Sequence, residues 1–241
     1  MLTSVDINGA VPEATVIIAG FDLNGYDRAI LQAGAGNREV RFIDAQRDVM
    51  DAVQTERFTL EYPVPVLGRL FVASHIDVEG ARLITIDSDM IVNASLRPLV
   101  DRDLGADFFA AIHDPPRTTD HTYFNSGLMM FDVDAFKHFD IANRCMRWLS
   151  EQDDHPTFPD QDALNWIIGK NYHRLARVWN YFCYNDAGFT SEDYETCKVA
   201  HFAGPKPWND PNHPGVALYK GYLEQLYVRV ERLGLLIRPE S

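Results

Sequence analysis

Leu83-Ile84-Thr85-Ile86-Asp87-Ser88-Asp89 is an apolar, β-branched run that stops at two acids. Such a run reads as a strand buried on both faces, and its carboxyl end is where open α/β sheets hold their ligands. An extended backbone puts Asp87 and Asp89 on one side and Ser88 on the other. Two carboxylates so placed repel unless a cation joins them. Hard divalent ions such as Mg²⁺ and Mn²⁺ do so, taking oxygen ligands and leaving positions open for phosphate oxygens. The ordinary alternative is a pair of acids that ends a strand and faces water, and for three residues alone it is the commoner case.

Working outward, Thr15–Ile18 and Arg41–Ile43 are β-rich, and Leu67, Leu70, Phe71, Ser74 and His75 share one face of a helix within Leu67 to Ile76. Downstream, Phe108–Ile112, Leu128–Phe131 and Val199–Phe202 have strand character, between helical stretches at Phe136–Leu149 and Asp162–Ile168. The alternation predicts an α/β fold with a mixed, mostly parallel sheet flanked by helices. No linker or repeat divides residues 1–241, so one domain is expected: residues 1–208 carry the motifs, and residues 209–241 form a loop and an amphipathic helix, Val216 to Leu236. Leu223, Leu226, Tyr227, Val230 and Leu233 on that helix are expected to pack on the domain or on a second subunit, making a homo-oligomer.

With 46% hydrophobic positions the 241-residue chain has enough apolar mass for one core. Its 22 Lys+Arg against 35 Asp+Glu give a formal charge of −13 with no basic block, which argues against a nucleic-acid partner. Apolar stretches fall well short of the roughly 20 residues that span a bilayer, so no integral membrane segment is expected. Met1 to Ala10 lacks a basic start and holds Asp6, unlike a secretory signal. Cys145, Cys183 and Cys197 have no CxxC spacing, which fits a reducing cytoplasm.

Three further segments carry polar groups in suggestive order. His201-Phe202-Ala203-Gly204-Pro205-Lys206-Pro207-Trp208 offers an imidazole at a strand end, a glycine and a cation, the parts of a diphosphate clamp. An imidazole beside two carboxylates would favour Mn²⁺ over Mg²⁺. Asp160-Gln161-Asp162-Ala163-Leu164-Asn165 sets acids and amides in the first turn of a helix, where capping alone would justify the acids. Tyr123-Phe124-Asn125-Ser126-Gly127 reads as a turn leading into a strand.

In this order, the four segments resemble the successive motifs of glycosyltransferase family 8. The resemblance runs from the first residues to about Trp208. It implies a GT-A-type, Rossmann-like fold and retaining transfer of glucose or galactose from a UDP-sugar to a carbohydrate or polyol acceptor. It implies Mn²⁺, with Mg²⁺ as a substitute, on Asp87, Asp89 and His201, and a diphosphate met by Lys206 and Gly204. Arg69, Asp114, Asn125 and Asp160 would bind donor hydroxyls, with Ser88 and Ser126 also on the donor side. Gln161 would lie near the anomeric carbon, with Asp162 as the fallback nucleophile. An amide is a poor nucleophile, so front-face attack is favoured over a covalent intermediate on Gln161.

Members of the family begin with a β-strand and an Ala/Asp-rich turn that bind the nucleoside. This chain has no such segment, and Met1–Val5 resembles the helix that follows it. Two competing readings remain: a catalytically silent or truncated UDP-sugar-binding protein, and a metal-dependent nucleotidyltransferase, which would also use an acidic pair but gives no reason for the His201–Trp208 run.

Overall fold

The computed structural model describes residues 1–52, 64–114, 122–153, 156–182 and 190–235. The chain starts with helix α1 (Leu2–Asn8), strand β1 (Val16–Gly20), α2 (Gly25–Ala35), β2 (Val40–Asp44) and α3 (Ala45–Ala52). Asn24 caps α2 by accepting from the backbone N–H groups of Tyr26 and Asp27, while the Asp27 side chain accepts from Asn24 N–H in return. Next come α4 (Gly68–Phe71), β3 (Arg82–Ile86), β4 (Met90–Val92), α5 (Arg97–Val100), β5 (Phe109–His113) and β6 (Phe124–Asp132). The remainder is α6 (Val133–His138), α7 (Ile141–Ser150), α8 (Pro159–Ile168), β7 (His173–Arg174), β8 (Tyr181–Phe182), α9 (Ser191–Thr196), β9 (Val199–His201) and α10 (Val216–Arg232).

The strands form three groups, β1-β2, β3-β6-β5-β7 and β4-β9-β8. The α/β class is as the sequence implies and the sheets are mixed. The balance of directions differs from the expected parallel majority: β1·β2, β5·β7 and β8·β9 are parallel, but β3·β6, β5·β6 and β4·β9 are antiparallel. The continuous apolar run of β3 predicts neither strand direction nor, as its half-burial shows, two covered faces. Two-face burial belongs to β5 and β6 and to the short β4 and β9. Phe109 and Ala111 of β5 and Met129 and Phe131 of β6 enter one core cluster with Phe124, Phe136, Cys145 and Leu164. Ala110, Ile112, Leu128 and Met130 enter a second with Met90, Val92 and Trp179 on the opposite face. A buried Phe or Leu contributes about 1.5–3 kcal/mol, so these alternating strands anchor the domain. β3 is only half-buried, and among the described residues both β1 and β3 have a strand neighbour on one side only.

Local elements depart from expectation where the backbone changes course. The stretch around Leu67 to Ile76 is one α-turn between two 3-10 turns, Val64–Leu67 and Val72–His75. The helical stretch Phe136–Leu149 is two helices, broken at Asp140, whose φ of 53° is left-handed. The last helix ends at Arg232, and the expected end at Leu236 and Cys183 lie outside the described residues. It packs on α1 and α2, where Arg229 pairs with Asp6 at 2.8 Å. Cys145 and Cys197 are buried. None of the described helices is long and apolar enough to cross a membrane.

Candidate active site

Asp87-Ser88-Asp89 does not continue β3. The N–H of Met90 donates to Asp87 O at 3.2 Å, closing a turn that feeds β4. The two carboxylates converge nonetheless, because β4 pairs antiparallel with β9 and sets Met90 opposite His201. His201 Nε2 lies 3.5 Å from Asp89 Oδ1 and 4.0 Å from Asp87 Oδ2. One ligand atom from each of Asp87, Asp89 and His201 falls within 4.8 Å of the others. Two carboxylate oxygens and an imidazole nitrogen suit a divalent cation of the Mn²⁺ or Mg²⁺ kind. His201 Nδ1 is 2.8 Å from Asn180 Oδ1, so Nε2 is the ring atom turned to the acids.

Chain cations flank the acids. Arg69, on α4, donates to Asp87 Oδ1 and to Ser126 O at 2.7 Å, and its Nε is 3.0 Å from Asp160 Oδ2. Lys206 Nζ donates to Asp89 Oδ2 and to Phe202 O. Burial pushes the Asp87 carboxyl above its ordinary value, against the pull of Arg69 and His201. Burial acts the same way on Asp89, but hydrogen bonds and charge from His201 and Lys206 outweigh it and hold that carboxyl far below the usual range. Gly204 is exposed with φ of 86°, a left-handed turn that brings Lys206 back toward Asp89 and that favours glycine. Ser88 is exposed at the tip of its turn.

The other predicted residues form a buried hydrogen-bonded cluster beside this group. Of the expected turn at Tyr123–Gly127, all but Tyr123 is part of β6, and the register to β5 jumps there, with Ala111 opposite Met129 but Ile112 opposite Asn125. The irregularity re-aims Asn125 and Ser126 and leaves room for the imidazole, as bulges beside ligand sites do. A Cβ on Gly127 would lie 2.6 Å from His201 Cε1, so the ring sits there only against glycine. Asp114 follows β5 and is fully buried, and its Oδ2 accepts from Asn125 Nδ2 at 3.3 Å and Gln161 Nε2 at 3.4 Å.

Gln161 projects from α8, where Pro159 at the first position presets the backbone. Its Oε1 accepts from Ser126 N–H at 2.9 Å and Asn125 Nδ2 at 3.1 Å, and its Nε2 donates to the Tyr123 hydroxyl at 3.0 Å. Asp160 Oδ2 accepts from Ser126 Oγ at 3.2 Å. Asp162 points elsewhere: one oxygen accepts from the Tyr123 hydroxyl and the other from Phe158 N–H at 3.0 Å, so it is spent on tying down the start of α8. Asn165 brackets Phe124, accepting from its N–H and donating to its O, both at 2.8 Å. Sequence reading missed Asn180 and the hydroxyl of Tyr123. Only their partners, distant in sequence, reveal them.

The fold is that of GT-A glycosyltransferases. The chain superposes on the bifunctional glycosyltransferase WbbM with a TM-score of 0.71 at 20% identity, covering 94% of this chain and 46% of that one. It superposes on galactosyltransferase LgtC, solved with donor and acceptor sugar analogues, with a TM-score of 0.69 at 19% identity, covering 98% and 95%. A family model described as glycosyl transferase family 8 matches residues 36–212, and the chain belongs to that family. It is 30% identical over 143 residues to glycosyltransferase GlyB of Streptococcus pneumoniae serotype 4, covering 54% of this chain and 35% of that protein. It is 29% identical over 157 residues to general stress protein A of Bacillus subtilis, covering 55% of each. Against the lipopolysaccharide 1,2-glucosyltransferase of Escherichia coli K12 the identity is 23% over 178 residues, covering 65% and 53%. The chain thus spans about a third to a half of the length of these relatives.

Proposed function

We propose that this chain transfers a hexose, glucose or galactose, from a UDP-sugar to a hydroxyl of a carbohydrate or polyol acceptor, with retention of configuration. The observation that carries the reading is the Asp87, Asp89 and His201 triad lying against the closed polar cluster of Asp114, Asn125, Asp160 and Gln161. The triad would hold Mn²⁺, or Mg²⁺ in its place. When bound, such an ion supplies Lewis-acid stabilisation to a leaving diphosphate.

The chain's own groups supply the rest. Lys206, once released from Asp89, adds a mobile cation for charge growing on the leaving group. Against a chain charge of −13, Arg69 and Lys206 supply local positive charge where an anionic donor needs it. Asp114, Asn125, Ser126, Asp160 and Arg69 would read donor hydroxyls. Gln161 Oε1 already accepts from Ser126 N–H and Asn125, and both Asp162 oxygens are engaged, so neither group is placed as a nucleophile. These bonds support front-face attack, with the departing phosphate oxygen taking the acceptor's proton. Gln161 and Asp160 then act by fixing the donor, and Asp162 by holding α8.

The test is release of UDP from UDP-glucose and UDP-galactose with and without Mn²⁺, beside calorimetric titration of UDP into the wild type and Asp89→Asn. Metal-dependent release that Asp89→Asn abolishes supports the reading. Metal-dependent UDP binding without turnover, in the presence of both donors and a panel of acceptors, would favour the silent binding protein instead. The half-buried β3, with a strand on one side only, is the observation on that side.

A further inference from the structure

Amide and imidazole orientations in this site are not free choices, because backbone N–H groups can only donate. Gly127 N–H points at Asn125 Oδ1 from 2.9 Å, which makes that atom the carbonyl oxygen. The Asn180 atom 2.7 Å from the same oxygen must then be its NH₂. The opposite end of Asn180, 2.8 Å from His201 Nδ1, is therefore a carbonyl oxygen, and Nδ1 must carry a proton to meet it. The lone pair of a neutral His201 is left on Nε2, the nitrogen facing Asp87 and Asp89. Asn180 is fully buried with both ends of its amide engaged, so nothing in its surroundings favours the flipped orientation.

We infer that Asn180 is a positioning residue: it selects the ring nitrogen that His201 offers to a metal and locks that choice to the orientation of Asn125. The inference rests on reading the site as one for a metal and a nucleotide sugar. It links two halves of that site through one side chain. Its NH₂ holds Asn125, whose own NH₂ donates to Gln161 Oε1 at 3.1 Å, and its carbonyl holds the metal-facing ring. Partners of this kind behind a ligating histidine typically change metal affinity 10–100-fold when removed.

Two variants separate the ends of the amide. Asn180→Ala removes both bonds. Asn180→Asp keeps an acceptor for His201 Nδ1–H but has no proton for Asn125. Folding is checked by thermal melting, Mn²⁺ affinity by the free-ion signal in electron paramagnetic resonance, and the tautomer by two-bond ¹⁵N–¹H correlations on the metal-free protein, titrated upward in pH until the ring carries a single proton, with His201→Gln to assign the ring. Expected are an Nδ1–H ring in the wild type, about 10–100-fold weaker Mn²⁺ binding in Asn180→Ala, and Mn²⁺ binding within about threefold of wild type in Asn180→Asp. Asn180→Asp should lose instead the extra affinity of UDP-sugar over UDP. An Nε2–H ring in the wild type overturns the inference outright, and so does a folded Asn180→Ala with unchanged Mn²⁺ affinity and tautomer. A wild type with the Nδ1–H ring that binds no Mn²⁺ even with UDP overturns the proposed function and leaves the tautomer assignment standing.

Discussion

Two corners of the site differ in what they are made of. At the carboxylate corner, the Asp87 and Asp89 side chains keep 25% and 19% of their surface in solvent, and their partners are the Arg69 and Lys206 cations and the His201 ring. At the amide-rich corner, Asp114, Asn125, Ser126, Asp160 and Gln161 are 0–7% exposed and are tied by hydrogen bonds to one another and to backbone. The first corner is a set of charges whose partners exchange when a cation or an anion arrives. The second is a rigid mould whose shape is part of the fold. Mutations at the first corner should therefore damage chemistry more than stability, and mutations at the second should damage both.

The largest test of that division is Asp89→Asn. It should lower kcat for UDP release on the order of 10²–10³-fold, the loss seen when a group stabilising transition-state charge is removed, while its melting temperature falls by less than that of Gln161→Ala. Equal losses of rate and stability would erase the distinction. Gln161→Ala should do the reverse to the fold. It strips the acceptor from the buried Ser126 N–H and from Asn125, so roughly 1–3 kcal/mol of stability is lost, read by denaturant titration. Lys206→Met sharpens the picture of exchanging charges. Without nucleotide it should bind Mn²⁺ about fivefold more tightly, the scale of one charge at close range in water, because a competitor for Asp89 is gone. With UDP present the same variant should bind the complex less well, as calorimetry of both reactions would reveal.

The smallest effect is in pH dependence, and its sign differs between neighbours. Asp89 is held below its ordinary value, so its stabilisation is whole above the unfolded carboxylate value, about 4, and is lost as pH falls through the lower folded one. Asp87 is held above its ordinary value, so its ionised form costs stability at neutral pH, and that cost disappears as pH falls from the raised folded value toward the unfolded one. Melting of the metal-free variants should show Asp87→Asn above Asp89→Asn at neutral pH, with the gap closing in acid. A gap that widens in acid contradicts this assignment.

What was legible in the sequence was the chemistry carried by short runs. Leu83 to Asp89 marked a strand with acids after it, and His201 to Trp208 a histidine at a strand end followed by a glycine turn and a lysine. What was not legible was how backbone irregularities aim those groups. The turn at Asp87–Met90 looks extended in one dimension, because alternation continues on paper where a hydrogen bond reverses the chain. The register jump in β6 is invisible because Asn, Ser and Gly read equally as a turn. Asn180 precedes an aromatic pair with no motif around it, and its partners lie 55 and 21 residues away in the chain. Asp162 is a fallback nucleophile by resemblance and a helix-start acid by position, and its bonds to Phe158 and Tyr123 favour the second.

One feature of the sheet bears on handling the protein. β1, Val16-Ile17-Ile18-Ala19-Gly20, carries no charge, and β3 has only Arg82 before its apolar run. Among the described residues each has a strand on one side only, so each presents a row of peptide groups of the type through which identical chains stick to one another, and neither holds the lysine or proline that commonly discourages it. Light scattering of the purified chain should rise with concentration, and Ile18→Lys, placing a charge on the outer strand, should lower it without altering UDP binding.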